Sequence, residues 1–69
     1  MPVAKVIQVI GSSSESFAKA ADEAVQEAAK TVRGITGADV ISMSAEVEGG
    51  RISKFKTTVN IAFAVEGTE

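Results

Sequence analysis

Side chains able to do chemistry are few in this chain. The 69 residues contain no His and no Cys, so the usual general bases, thiolate nucleophiles and soft metal ligands are missing. Three groupings remain. Ser12, Ser13 and Ser14 follow Gly11 ahead of an apolar-periodic stretch. Serines there could present nucleophiles, or hold an anion at a helix N-terminus. They lack the further glycines and the Lys of a phosphate loop, and a helix cap with its first turn accounts for them. Asp22, Glu23 and Glu27 offer carboxylates suited to a hard cation, or the solvated face of a helix. Glu46 and Glu48 stand across Gly49-Gly50 from Arg51 and Lys54, where cross-strand charge pairing explains them without a site. None of these is a catalytic constellation. The expectation is a protein that is not an enzyme.

The elements that must position these residues start with one helix, predicted over residues 12–34. Ser12 and Glu15 have capping-box spacing. Phe17, Ala21, Ala24, Val25, Ala28, Val32 and Ile35 recur at steps of three and four, one apolar stripe. Gly34 follows as a C′ residue. Glu15 at one end and Lys30 and Arg33 at the other suit the helix dipole. The stripe is mostly Ala, which permits a close approach to a sheet but brings little apolar area.

Three strands surround this helix in sequence. Residues 3–10 are rich in Val and Ile and end at Gly11. Residues 38–48 alternate, with Ile41, Met43, Ala45 and Val47 on one face and Val40, Ser42, Ser44, Glu46 and Glu48 on the other; Asp39 shares the first parity. Gly49-Gly50 is a hairpin turn signal. Residues 51–65 hold the clearest period-two pattern, with Phe55, Thr57, Val59, Ile61, Phe63 and Val65 on one face. Residues 67–69 are expected to fray. Met43, Phe55 and Phe63 read as core or interface. The third strand is the longest and best patterned, so it belongs in the middle. The fold class is therefore α+β: a β-α-β-β single domain over residues 1–69, its three-stranded antiparallel sheet in order 1-3-2 packed on one helix.

Composition turns this fold into an assembly problem. A chain this short buries little of its surface and needs a staple. Disulfides are excluded, and a structural metal has no cluster to hold it. Yet 45% of the residues are apolar and only three, all Phe, are aromatic. One narrow helix cannot cover the sheet, and two strand edges stay open. Homo-oligomerisation is the expected remedy. The net charge of −2 and a pI of about 5.0 argue against nucleic acid. No apolar run of about 18 residues spans a membrane. The opening residues MPVAKVIQVIG lack signal-peptide architecture, which makes a cytoplasmic protein the expectation.

The segments GSSSESFAKAADEAVQEAAKTVRGITGADV and KTTVNIAFAVEG, joined through a strand and a GG hairpin, resemble the dodecins. The resemblance runs from about Val3 to Gly67. It implies a β-α-β-β subunit whose sheet wraps the helix, and twelve copies in a hollow shell of cubic symmetry, a homododecamer. It also implies flavin binding (riboflavin or its phosphates) in pairs between subunits, for storage and not catalysis. Family flavin sites stack the ring on a Trp just after the helix, a position that falls on Gly37. A Gln of the third strand that hydrogen-bonds the ring falls on Lys56. The acidic residue of the second strand falls on Asp39 or Ser42. With no Trp in the chain, flavin binding is expected to be weak or lost, and the Lys56 ammonium suits a phosphate or carboxylate. Dodecin-like proteins without the Trp are associated with other ligands, calcium among them. A divalent cation, in a shell without an organic ligand, is therefore the alternative.

Overall fold

A computed structural model describes residues 3–65. Its elements are β1 (Val3–Ser13), α1 (Phe17–Ala29), β2 (Ile35–Glu48) and β3 (Arg51–Val65). The sheet is antiparallel in order β1-β3-β2, as the strand patterns predict. The expected polar tail, residues 67–69, lies outside the described residues.

The element boundaries differ from expectation at both ends of α1. Ser12 does not cap the helix, because β3 is long enough to keep pairing past Gly11: Ser12 lies opposite Lys56 and Ser13 opposite Phe55. Ser13 instead closes the turn, its Oγ accepting from the Glu15 N–H at 2.9 Å. The N-cap is Ser16, in extended conformation, whose Oγ accepts from the Lys19 N–H at 3.0 Å. At the other end the helix stops at Ala29, with Lys30 as C-cap. Thr31 and Val32 close one last turn, their N–H groups donating to the Ala28 carbonyl at 3.1 and 2.9 Å, and Ile35 is drawn into the sheet opposite Phe63. Glu15 and Arg33 therefore lie outside the helix. Gly34, at φ +77°, sits in the link to β2, its carbonyl accepting from the Ala64 N–H at 3.0 Å.

The fully buried face of α1 is the line Ala20, Ala24 and Ala28, with Ala21 and Val25 beside it. Small side chains let the helix backbone press onto β1 at Gly11. A Cβ on Gly11 would collide with the Ala20 carbonyl oxygen and stand 2.9 Å from the Ala24 nitrogen. Beneath this contact, Val59 and Ile61 are completely buried with Ile7, Val9 and Ile35 around them. The helix start is pinned to β3 twice. Thr57 Oγ1 donates to the Phe17 carbonyl at 2.9 Å, and the Phe17 and Phe55 rings meet edge to face at 5.0 Å.

The helix lies over β1 and β3 and barely touches β2. Sheet residues beyond its reach stay uncovered, and past Phe55 the sheet narrows to a two-stranded ribbon in a molecule 55 Å long. Strict alternation along β2 also fails. The register slips between Val40 and Ser42, so Val40 pairs with Val59 while Ser42 pairs with Thr58, leaving Ile41 as the extra residue. Val40 therefore joins Met43 and Ala45 on the helix side. Asp39 falls on the opposite side with Ser42.

Two substitutions check this packing by chemical denaturation at fixed protein concentration. Ile61→Ala should cost about 2–5 kcal/mol, because the site is fully enclosed. Gly11→Ala should cost about 1–3 kcal/mol or more, since the obstacle is helix backbone.

Candidate functional site

The register gathers Gly37, Asp39, Ser42 and Lys56 on one face of the sheet, the face turned away from α1. Gly37 pairs with Ala62, Asp39 with Asn60, Ser42 with Thr58, and Lys56 with both Ser44 and Ser12. These partners alternate with the buried Thr57, Val59 and Ile61, which fixes their side. The face is polar along β2 and the middle of β3, with exposed Val6 and Ile10 on its β1 side, and its middle is cross-linked: Gln8 Nε2 donates to Asn60 Oδ1 at 3.0 Å. Gly37 and Lys56 stand at opposite ends of this strip, six residues apart in the register of β3.

Gly37 has no backbone need to be Gly. Its φ lies outside the left-handed region and a Cβ there would meet nothing within 4 Å. A large side chain has room, yet nothing aromatic fills the place. Phe17 and Phe55 are engaged with each other on the helix side. Phe63, opposite Lys5 and Ile35, is on the helix side as well, so among the described residues no aromatic side chain lies on this face.

Lys56 is not a free cation. Its Nζ lies 2.8 Å from Glu46 Oε2, with both side chains partly exposed. Cross-hairpin charge pairing of Glu46 and Glu48 with Arg51 and Lys54 is the expectation, and Lys54 is directly opposite Glu46. The short contact nevertheless runs to the diagonal neighbour, which a long side chain reaches easily. Hydrogen bonding and charge from Lys56, then the charge of Lys54, hold the Glu46 carboxyl below its ordinary value. Glu48 and Arg51 are in register as expected.

The other candidate groupings dissolve into local structure. Asp22 Oδ2 accepts from Gln26 Nε2 at 2.6 Å, and Glu27 pairs with Lys30 Nζ at 3.2 Å. Among the described residues no group of three or more His, Cys, Asp or Glu side chains is placed to hold a metal ion. A cleft of about 220 Å³ runs between the free edge of β1 and α1, lined by Val9, Ile10, Ser12, Glu23 and Glu27 among others. It includes none of the four predicted site residues. Among the described residues no helix is long and apolar enough to cross a membrane.

The Glu46 carboxyl gives a direct electrostatic check. Because its folded pKa is depressed, the pairing contributes stability above the unfolded carboxylate pKa and loses it as pH falls through the folded value. In Lys56→Met the Glu46 pKa should rise toward the ordinary value, read from the side-chain carboxyl carbon in an NMR pH titration. An unchanged titration would mean that Lys54 alone sets it.

The Dodecin family profile matches residues 3–66. Among curated protein sequences no match is found. The chain is similar to the solved dodecin from Streptomyces davaonensis, at 18% identity and TM-score 0.91, covering 96% of this chain and 97% of that one. A mutant dodecin from Thermus thermophilus matches at 24% identity and TM-score 0.93, covering 99% and 100%. The calcium dodecin of Mycobacterium tuberculosis, described as a calcium-chelating antigen with a novel calcium-binding site, matches at 35% identity and TM-score 0.80, covering 97% and 96%. With its profile matched from the first strand to the last and its strand order reproduced in solved relatives, the chain belongs to the dodecin family.

Proposed function

We propose that this chain is the subunit of a hollow homododecameric shell in the cytoplasm that binds and stores a small molecule, without catalysis. The observation that carries the reading is the uncovered apolar side of the hairpin. Val40, Met43, Val47 and Ile52 lie on the helix side of the sheet beyond the helix, between 49% and 63% exposed. A contiguous apolar surface of this kind on so small a subunit marks an interaction face. Family membership supplies the partner, which is the chain itself.

In this reading the ligand face is the polar strip from Gly37 to Lys56, with Asp39 and Ser42 between them, and any flavin is held weakly. Stacking a flat ring on an aromatic side chain contributes about 1–3 kcal/mol. Gly37 forgoes that contribution and leaves open space in its place. A second reading, a shell that holds calcium or another divalent cation and no organic ligand, is favoured by the 35% identity to the calcium dodecin. Carboxylates do not gather within one described chain, so the ion of this reading sits between copies, with Asp39 as an available ligand.

Two measurements test this. Light scattering should give the mass of twelve copies, and Met43→Lys combined with Val47→Lys should abolish it; a folded monomer of the unmodified chain would overturn the assembly. Titration of riboflavin, followed by flavin fluorescence, should show weak quenching by the unmodified protein. Gly37→Trp should strengthen it by about 5- to 150-fold. Tight binding without the Trp, or no gain with it, would refute the placement of the ligand. Heat released on calcium titration without any flavin response would favour the second reading.

A further inference from the structure

We propose that Glu46 sets the ligand preference of the Gly37–Lys56 face: by engaging the Lys56 ammonium it makes the face discriminate against phosphate-bearing ligands. The inference rests on the ligand-binding reading above and adds the residue that controls specificity within it.

Lys56 and Lys54 supply the positive charge of the middle strand on this face. The register neighbours of Lys56 are Ser12 and Ser44, and its next neighbours along β3 on the same side are Lys54 and Thr58. Glu46 stands opposite Lys54 and reaches diagonally to Lys56 at 2.8 Å. Two lysines thus share one carboxylate. A phosphate arriving at Lys56 must either displace Glu46 from its partner or accept repulsion from a carboxylate within contact distance. A neutral ring ligand does neither. Removing the Glu46 charge frees the ammonium and leaves two positive charges unopposed, without altering the backbone register. The same chain would then favour the phosphate form of a ligand over its neutral form. A surface ion pair is a weak lock in stability, but its competition with an anion is local and direct.

The test compares riboflavin with its 5′-phosphate on the assembled protein, in the unmodified chain, Glu46→Gln, and Glu46→Gln combined with Lys56→Gln. Glu46→Gln should raise the preference for the phosphate form by about two- to tenfold. The double variant should return it toward that of the unmodified chain. An unchanged preference in Glu46→Gln, or a rise that survives loss of Lys56, would overturn the role of Glu46. If neither flavin binds any of the three proteins, the flavin reading fails, and inorganic phosphate alone reads the inference. Shifts of the Lys56 amide resonance induced by phosphate should then be larger in Glu46→Gln. Equal shifts in both proteins would refute the inference while leaving the assembly untouched.

Discussion

The close contact between an alanine line and a glycine governs this molecule. Ala20, Ala24 and Ala28 can lie against β1 only because Gly11 carries no Cβ. That contact brings the helix down onto Val59 and Ile61 and closes a core. The same small residues limit what the core can contribute, since apolar stabilisation follows the area removed from water. A helix of 13 residues cannot cover strands of 14 and 15 residues. The hairpin is left with bare apolar side chains that the subunit has no means of burying alone. Association of copies, as proposed above, would cover them.

The two sides of the sheet divide the labour. The helix side holds the core under α1 and the bare apolar surface beyond it. The far side carries a polar strip whose groups answer one another, Gln8 with Asn60 and Glu46 with Lys56, beside exposed Val6 and Ile10 of β1. Exposed apolar residues and polar residues alternate along the same strands, which the period-two geometry of a strand allows. A change of register would exchange the two sets at a stroke. The deep pairing of β1 and β3, unbroken from Val3 opposite Val65 to Ser13 opposite Phe55, guards against that.

Much of this was legible in the sequence, for reasons that differ by element. The strict alternation of β3 announced both its central place and its buried residues, because a middle strand feels the core along its whole length. The order of strands followed from that. The helix limits were not legible, because Ser12 and Glu15 make a capping box as good locally as Ser16 does. Only the length of β3, which pairs Ser12 and Ser13 instead, decides between them. The side on which Asp39 lies was misread for a similar reason: the slip at Ile41 is a tertiary event with no turn residue to mark it. Gly37, Asp39, Ser42 and Lys56 are candidates through the family resemblance alone, and their sharing one face emerges only from the register. The diagonal reach of Glu46 to Lys56 lies beyond any pairing rule based on direct opposition.

The proposal that the subunit completes its burial only by assembling is tested most directly by dilution. Far-UV circular dichroism and sedimentation velocity would be followed together across a concentration series in mild denaturant. Loss of secondary structure should coincide with loss of the assembled species, and the midpoint should move with protein concentration. A small species that keeps the full β-α-β-β signal, with a midpoint independent of concentration, would contradict the account.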